Sequence, residues 1–279
     1  WSSPCLTIVY SDDPTTNMAT SAATAVPAAS IQSPFLPSKD PRTEGWFLLG
    51  DLKLLITLLA CYVYLVKRAI PAVMANRKPF ELVNATRFYS FTMVAASLYF
   101  FARTVPLTYF GGGYSFLCQG VDYEDDSPRT MQVIGLMYSY LYVRVFDFVG
   151  TIIYVFQKKF HRVSAFHVYH HCVSVAIGVY GLTYGVEGQA VFGVCVNMCV
   201  HMMLYSYIFL ASFGKRFAPY LTWKRHLGTI ELVQFLIISL HILLPVFVRT
   251  CSYPVLHSLS GISMIALMTV LFTYNRNLV

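Results

Sequence analysis

The chain has 279 residues, of which 56% are hydrophobic and 12% charged, and its formal net charge is +7. Its mean hydropathy is +0.57. Soluble domains carry about 25% charged residues, so a soluble enzyme, a nucleic-acid-binding domain and a disordered chain are all excluded. The apolar residues fall in long blocks rather than short alternating stretches. That pattern excludes a transmembrane β-barrel and leaves an all-α polytopic membrane protein. The seven cysteines have no repeating spacing that would suggest a disulfide framework or a zinc site.

The chain opens on Trp1 rather than Met, as a fragment would. Residues 1–45 are rich in Ser, Thr, Ala and Pro without helical periodicity, and are predicted to be a disordered tail ahead of a membrane domain at 46–279. Seven hydrophobic segments follow, at about 46–66, 83–105, 132–156, 163–186, 188–214, 228–248 and 255–274. Each approaches or exceeds the ~20 residues that cross a bilayer core. Lys67, Arg68, Arg77 and Lys78, then Lys158, Lys159 and Arg162, then Lys215, Arg216, Lys224 and Arg225 occupy alternate loops. The opposite loops hold Asp122, Glu124, Asp125, Asp126 and Glu187. By the positive-inside rule the basic loops are cytosolic, the N-terminus is lumenal or extracellular and the C-terminus cytosolic. Cys118 and Cys251 then share the non-cytosolic side, either bridged in an oxidising lumen or as two free thiols. That topology puts the sequon Asn84-Ala85-Thr86 on the cytosolic side, where it stays unused.

Ionisable residues inside a span are costly and by default mark function. The fourth segment holds His167, His170 and His171, which share one helix face. The fifth holds Asn197, His201 and Tyr205 on one stripe, with Tyr207 beside it. The third has Arg144 and Asp147 at i, i+3, and the sixth has Glu231 and Gln234 at the same spacing. At ~1.5 Å rise per residue, His167–His171, Glu231–Gln234, Asp147 and His201 lie ~8–21 Å from the nearest cytosolic basic residue. One buried site opening to the cytosol would satisfy them together. His161 and His226 fall in loops or interfaces, and His241 and His257 lie toward the far side.

Two chemistries suit such a cluster. An HxxHH box resembles those of membrane di-iron oxygenases, but these need several boxes and extra carboxylates, and this chain has one box plus His201. The other is acyl transfer: a neutral imidazole is both nucleophile and proton carrier near pH 7, and a dry helical chamber excludes water from a thioester condensation.

The motifs resemble the ELO family of very-long-chain fatty acid elongases over residues 46–274. The matching stretches are Lys78-Pro79-Phe80, the box His167-Val168-Tyr169-His170-His171 preceded by Lys158-Lys159, and Asn197-x-x-Val200-His201-x-x-Leu204-Tyr205-x-Tyr207. Cys118 ahead of Val121-Asp122-Tyr123, and Cys251-Ser252-Tyr253-Pro254, also resemble family positions. The resemblance implies seven transmembrane helices, six of them forming a barrel around an acyl tunnel, in the endoplasmic reticulum membrane. It implies condensation of a long-chain acyl-CoA with malonyl-CoA to 3-oxoacyl-CoA, CO2 and CoA, without metal or redox cofactor. A box histidine, taken as His170, would carry the acyl group as an acyl-imidazole. His201 would assist the condensation, His167 and His171 would orient the site, and Asn197 would donate to a carbonyl. Arg144, Asp147, Tyr205, Tyr207 and Gln234 would contact substrate, and Lys158, Lys159, Lys215 and Arg216 are candidates for coenzyme A phosphates. The expected partners are the bilayer, the two thioesters and other enzymes of the elongation cycle, with no nucleic acid.

Three motifs depart from the family. KxxExxDT becomes Arg144-x-x-Asp147-x-x-Gly150-Thr151, TxxQxxQ becomes Gly228-x-x-Glu231-x-x-Gln234, and the Met and last Tyr of NxxVHxxMYxYY become Leu204 and Ile208. The alternatives are therefore a degenerate protein keeping the fold, or a metal-dependent lipid oxygenase.

Overall fold

The structure is a computed structural model that describes residues 38–248 and 250–277. Among the described residues it is all helical, with long helices joined by short loops and 3-10 turns. The helices are α1 (Leu52–Met74), α2 (Val83–Thr108), α3 (Pro128–Phe156), α4 (Ala165–Tyr184), α5 (Ala190–Ala211), α6 (Lys224–Phe247) and α7 (Val255–Asn277). Each predicted segment overlaps one of them. Five of the seven, α1, α3, α5, α6 and α7, are long and apolar enough to cross a bilayer, so the protein is a multi-pass membrane protein. The other two are more polar: α2 carries Asn84, Arg87, Arg103 and several Ser and Thr, and α4 carries the three box histidines.

Local chemistry sets the helix ends. Asp51 Oδ1 accepts from Leu54 N (3.0 Å) and starts α1 six residues later than the apolar pattern suggests. That helix also continues past Lys67 and Arg68, where the hydrophobic segment ends. A π-turn at Leu65–Ala69 opens the hydrogen-bond ladder just before Pro71, which has no N–H to donate. Ser127 and Pro128 begin α3. Ser164 Oγ accepts the backbone N–H of His167 (3.1 Å), so the cap of α4 fixes the first turn of the histidine box. Lys158, with φ 53°, ends α3 in the left-handed region, and Lys159 N bonds back to Tyr154 O (2.9 Å).

Packing runs in order through α2, α3, α4, α7, α6 and α5, and α5 packs back on α2. Helix α1 lies outside this sequence, against α3 and α4. The main apolar core joins α1, α3 and α4 through Tyr62, Ile134, Leu141, Phe148, Val175 and Leu182. Basic loops gather at one end of the bundle and acidic loops at the other. At the acidic end a disulfide joins Cys118, after α2, to Cys251, before α7.

Of the tail expected at 1–45, residues 1–37 lie outside the described residues; in the remainder, Asp40, Arg42 and Thr43 are packed against the acidic end. Asp40 N donates to Thr183 O (2.9 Å) and Thr43 Oγ1 to Leu182 O (2.7 Å). Arg42 pairs with Asp40 Oδ2 (2.7 Å) and with Glu187, and donates to the carbonyls of Asp122 (2.7 Å) and Asp125 (3.0 Å). Sequence composition hid this anchor, because its partners lie in two distant loops and at the end of α4. Burial pushes the Glu187 carboxyl above the usual carboxylate range, and the Arg42 charge pulls against it. Asp125 is held below that range by the hydroxyl of Thr130 and by Ser127.

Removing Arg42 strands the buried carboxyls of Asp40 and Glu187. Arg42→Ala is expected to lower stability in detergent by about 3 kcal/mol, the lower end for a buried pair that loses one partner. Arg42→Lys should recover part of the loss. Thermal unfolding of purified protein checks both; an unchanged Tm for the alanine variant would contradict the anchor.

Candidate active site

The fold brings the four motif histidines to one cavity of about 340 Å³, whose walls include His167, His170 and His171 of α4 and His201 of α5. The His167 and His171 rings lie 4.4 Å apart between centroids, and those of His170 and His171 5.7 Å apart. Asp147, Tyr205, Glu231 and Gln234 also face this chamber. A second cavity, of about 250 Å³ and mostly apolar, runs between α3 and α7 toward the acidic end. Its polar wall comprises Arg144, Asn197, Ser174 and the residues it shares with the first, His170 and Gln234. His170 thus stands between a polar chamber and an apolar one.

A hydrogen-bonded chain supports the rings. Arg144 Nη1 lies 3.2 Å from Asp147 Oδ2 and 3.0 Å from both ring nitrogens of His201. A guanidinium only donates, so the imidazole nitrogen it addresses is the one with the lone pair. Asp147 Oδ1 accepts from Tyr205 Oη and from Tyr89 Oη (3.2 Å), and the two phenols are themselves 3.2 Å apart. Arg144 Nε and Nη2 have no partner among the described residues. On the other side, Tyr62 donates to Thr151 Oγ1 (3.0 Å), which leaves the Thr151 proton for His167 Nε2 (3.0 Å). Asn197 Nδ2 reaches Gln234 Oε1 at 3.5 Å, the limit of a hydrogen bond.

The structure does not bring every predicted residue here. Tyr207 packs edge-on against Trp223 (5.7 Å between centroids) and lines neither cavity. Lys158 and Lys159 end α3, with Lys158 Nζ donating to Ala75 O (3.3 Å). Lys215 and Arg216 sit in an exposed 3-10 turn. The basic residue on the chamber wall is Arg162, with its guanidinium 5.4 Å from the Tyr154 ring centroid. Tyr62, Tyr89 and Thr151 are contributions that sequence reasoning missed. Thr151 had a signal, since it closes the motif that begins at Arg144. The two tyrosines had none, because phenols are common in aromatic-rich spans. His241 and His257 bond to carbonyls at the acidic end, those of Phe116 and Tyr184 (3.0 Å each), away from the cluster.

Residues 47–275 match the family described as ELO: GNS1/SUR4. The chain belongs to this family. It is 35% identical over 219 residues to very long chain fatty acid elongase 7 of Rattus norvegicus, covering 78% of this chain and 77% of that one. It is 35% identical over 214 residues to very long chain fatty acid elongase 1 of Homo sapiens, covering 77% and 76%. It is 32% identical over 215 residues to very long chain fatty acid elongase 4 of Mus musculus, covering 77% and 68%.

Within the ELO motif, the departure at Gly150 has a geometric reading. A Cβ at Gly150 would lie 2.5 Å from both Cζ and Oη of Tyr89. The Tyr89 ring fills the space a side chain would need, and its hydroxyl reaches Asp147 from there. Glycine at 150 and tyrosine at 89 are one unit of packing.

Gly150→Ala is therefore expected to displace the Tyr89 ring and cost about 1–3 kcal/mol, as overpacking does. Tyr89→Phe removes one hydrogen bond and should cost about 1 kcal/mol. Combining Gly150→Ala with Tyr89→Ala should cost clearly less than the sum of the single losses. Thermal unfolding of the parent, Gly150→Ala, Tyr89→Ala and the double variant tests this, and strict additivity would argue against the coupling.

Proposed function

We propose that this member of the ELO family condenses a long-chain acyl-CoA with malonyl-CoA, giving 3-oxoacyl-CoA, CO2 and free CoA. The names of its relatives support fatty acid elongation as the process. The observation that carries the chemistry is the place of His170, on the wall shared by a polar histidine-lined chamber and an apolar cavity. A thioester with its tail in the second cavity would present its carbonyl at that ring.

In this reading the His170 lone pair attacks the thioester carbon, the C–S bond breaks, and the imidazole proton leaves with the CoA thiolate. Malonyl-CoA then loses CO2, and its enolate attacks the acyl carbon. The C–N bond breaks, the imidazole regains a proton, and one proton is consumed overall. The amide of Asn197, on this wall, would donate to the developing oxyanion, with the charge of the Arg144 guanidinium nearby. His201, addressed by Arg144 and close to the Asp147–Tyr205 pair, would steer the enolate. His167 and His171 would orient the box. The reaction as written calls for no metal or redox cofactor.

All seven helices would span the endoplasmic reticulum membrane, with the six that pack in sequence forming a barrel around the acyl chain. The basic end would face the cytosol and hold the CoA head groups near Arg162, and the acidic end and its disulfide would face the lumen. Other enzymes of the cycle would reduce and dehydrate the product.

Membranes containing the protein are expected to extend long-chain acyl-CoA by two carbons from labelled malonyl-CoA. His170→Ala should lower turnover at least about a hundredfold, as removal of a nucleophile does, at unchanged protein level. It should also abolish a hydroxylamine-labile acyl adduct. Extension of no acyl-CoA across a broad range of chain lengths would overturn the reading, and an adduct retained by His170→Ala would overturn the choice of nucleophile.

A further inference from the structure

The apolar cavity is interlocked by glycines. Gly178 of α4, Gly193 of α5 and Gly261 of α7 all line it. A Cβ on Gly178 would lie 2.8 Å from Leu141 Cδ1, one on Gly261 2.7 Å from Ile242 Cδ1, and one on Gly193 3.0 Å from Ile238 Cγ2. Those three aliphatic residues line the same cavity. The methyl groups that would otherwise narrow the bore are parked in the notches that the missing Cβ atoms leave.

The notches are staggered toward the acidic end. Gly178 lies eight residues beyond His170 along α4 and Gly193 eight residues before His201 along α5, ~12 Å at the helical rise. Along α6, Ile238 at the Gly193 notch and Ile242 at the Gly261 notch are four residues apart, so the Gly261 notch lies ~6 Å further on. Adding a Cβ would drive the neighbouring methyl toward the nearest free volume, which is the cavity its side chain already lines. At Gly178 and Gly261 the displaced atoms are the Cδ1 ends of Leu141 and Ile242, and alanine exceeds glycine in helix propensity by about 1 kcal/mol, so the fold tolerates the change there.

We propose that Gly178, Gly193 and Gly261 form a ring that sets the bore of the apolar cavity, and with it the longest acyl chain the protein accepts. The proposal rests on the condensation reading for what the cavity holds. An acyl chain that ends short of the ring does not sense it; one that passes the ring does.

The test uses Gly178→Ala and Gly261→Ala in the full chain, with Gly135→Ala as control. Gly135 lies on α3 with nothing within 4 Å of an added Cβ. Two readouts are taken over a series of saturated acyl chains of increasing length. One is extension with labelled malonyl-CoA. The other is the thermal stabilisation of detergent-purified protein by non-reactive thioether analogues of the acyl-CoAs. Both glycine variants should lower the long-to-short ratio of kcat/KM by about tenfold, the low end for one methylene in an apolar pocket. Stabilisation by the long analogues should fall in parallel, and Gly135→Ala should keep the parent profile. Adding Leu141→Val to Gly178→Ala, which removes the displaced methyl, should restore the long chains. An unchanged length profile in both glycine variants overturns the ring. If the parent protein extends nothing while the analogue profile still shifts, the ring stands and the condensation reading fails.

Discussion

An arginine and a carboxylate side by side within a span persist only if neighbouring helices supply their remaining partners, because the bilayer core supplies none. Arg144 and Asp147 sit on α3, and their partners come from α2 and α5, as Tyr89, Tyr205 and His201. That requirement fixes the register of three helices against one another. It also decides the chemistry of His201: the guanidinium is a fixed donor, so the ring beside it is held with a lone pair facing the charge. The box on α4 is fixed from another direction, through Ser164 at its first turn and through Thr151 and Tyr62 at His167. The two halves of the histidine cluster are therefore held independently and meet only across the chamber.

The ends of the bundle differ in construction. The acidic end is tied by the Cys118–Cys251 bridge and by Arg42, which gathers Asp40, Glu187 and two loop carbonyls. The basic end has exposed 3-10 turns between α5 and α6 and the chamber wall at Arg162. The proposed condensation, with a large polar head group and an apolar tail, calls for this asymmetry: firm closure at the end toward which the tail would point and access where the head group would remain.

The sequence showed most of the scaffold because membrane helices obey one strong rule, that a span is a long apolar block. All seven blocks became helices. The boundaries were less legible where capping overrode hydropathy, as at Asp51, or where a π-turn carried α1 past Lys67 and Arg68. The histidines, Asn197, Arg144, Asp147, Tyr205 and Gln234 were legible because polar residues inside a span stand out against their neighbours. Tyr62 and Tyr89 were not, because a buried phenol looks like ordinary apolar packing until its hydroxyl is seen to have a partner. Tyr207 misled for the same reason in reverse: it stands next to the stripe in sequence, yet its helix face turns it to Trp223. The basic residues misled because charge in a loop satisfies topology, and Lys158 shows that such a residue can serve backbone geometry instead.

Gly150 and Glu231 depart from the ELO motifs, and the two changes are not equivalent. At Gly150 the lost carboxylate is accompanied by a phenol in the vacated space, so Asp147 becomes the single acid balancing Arg144 and the buried cluster stays near neutrality. At Glu231 a carboxyl stands on the chamber wall where the motif has an amide. The two groups share a planar shape and nearly the same volume, and both carry an acceptor oxygen. The departure then keeps the shape of the wall, and a loss of function does not follow from the substitution alone.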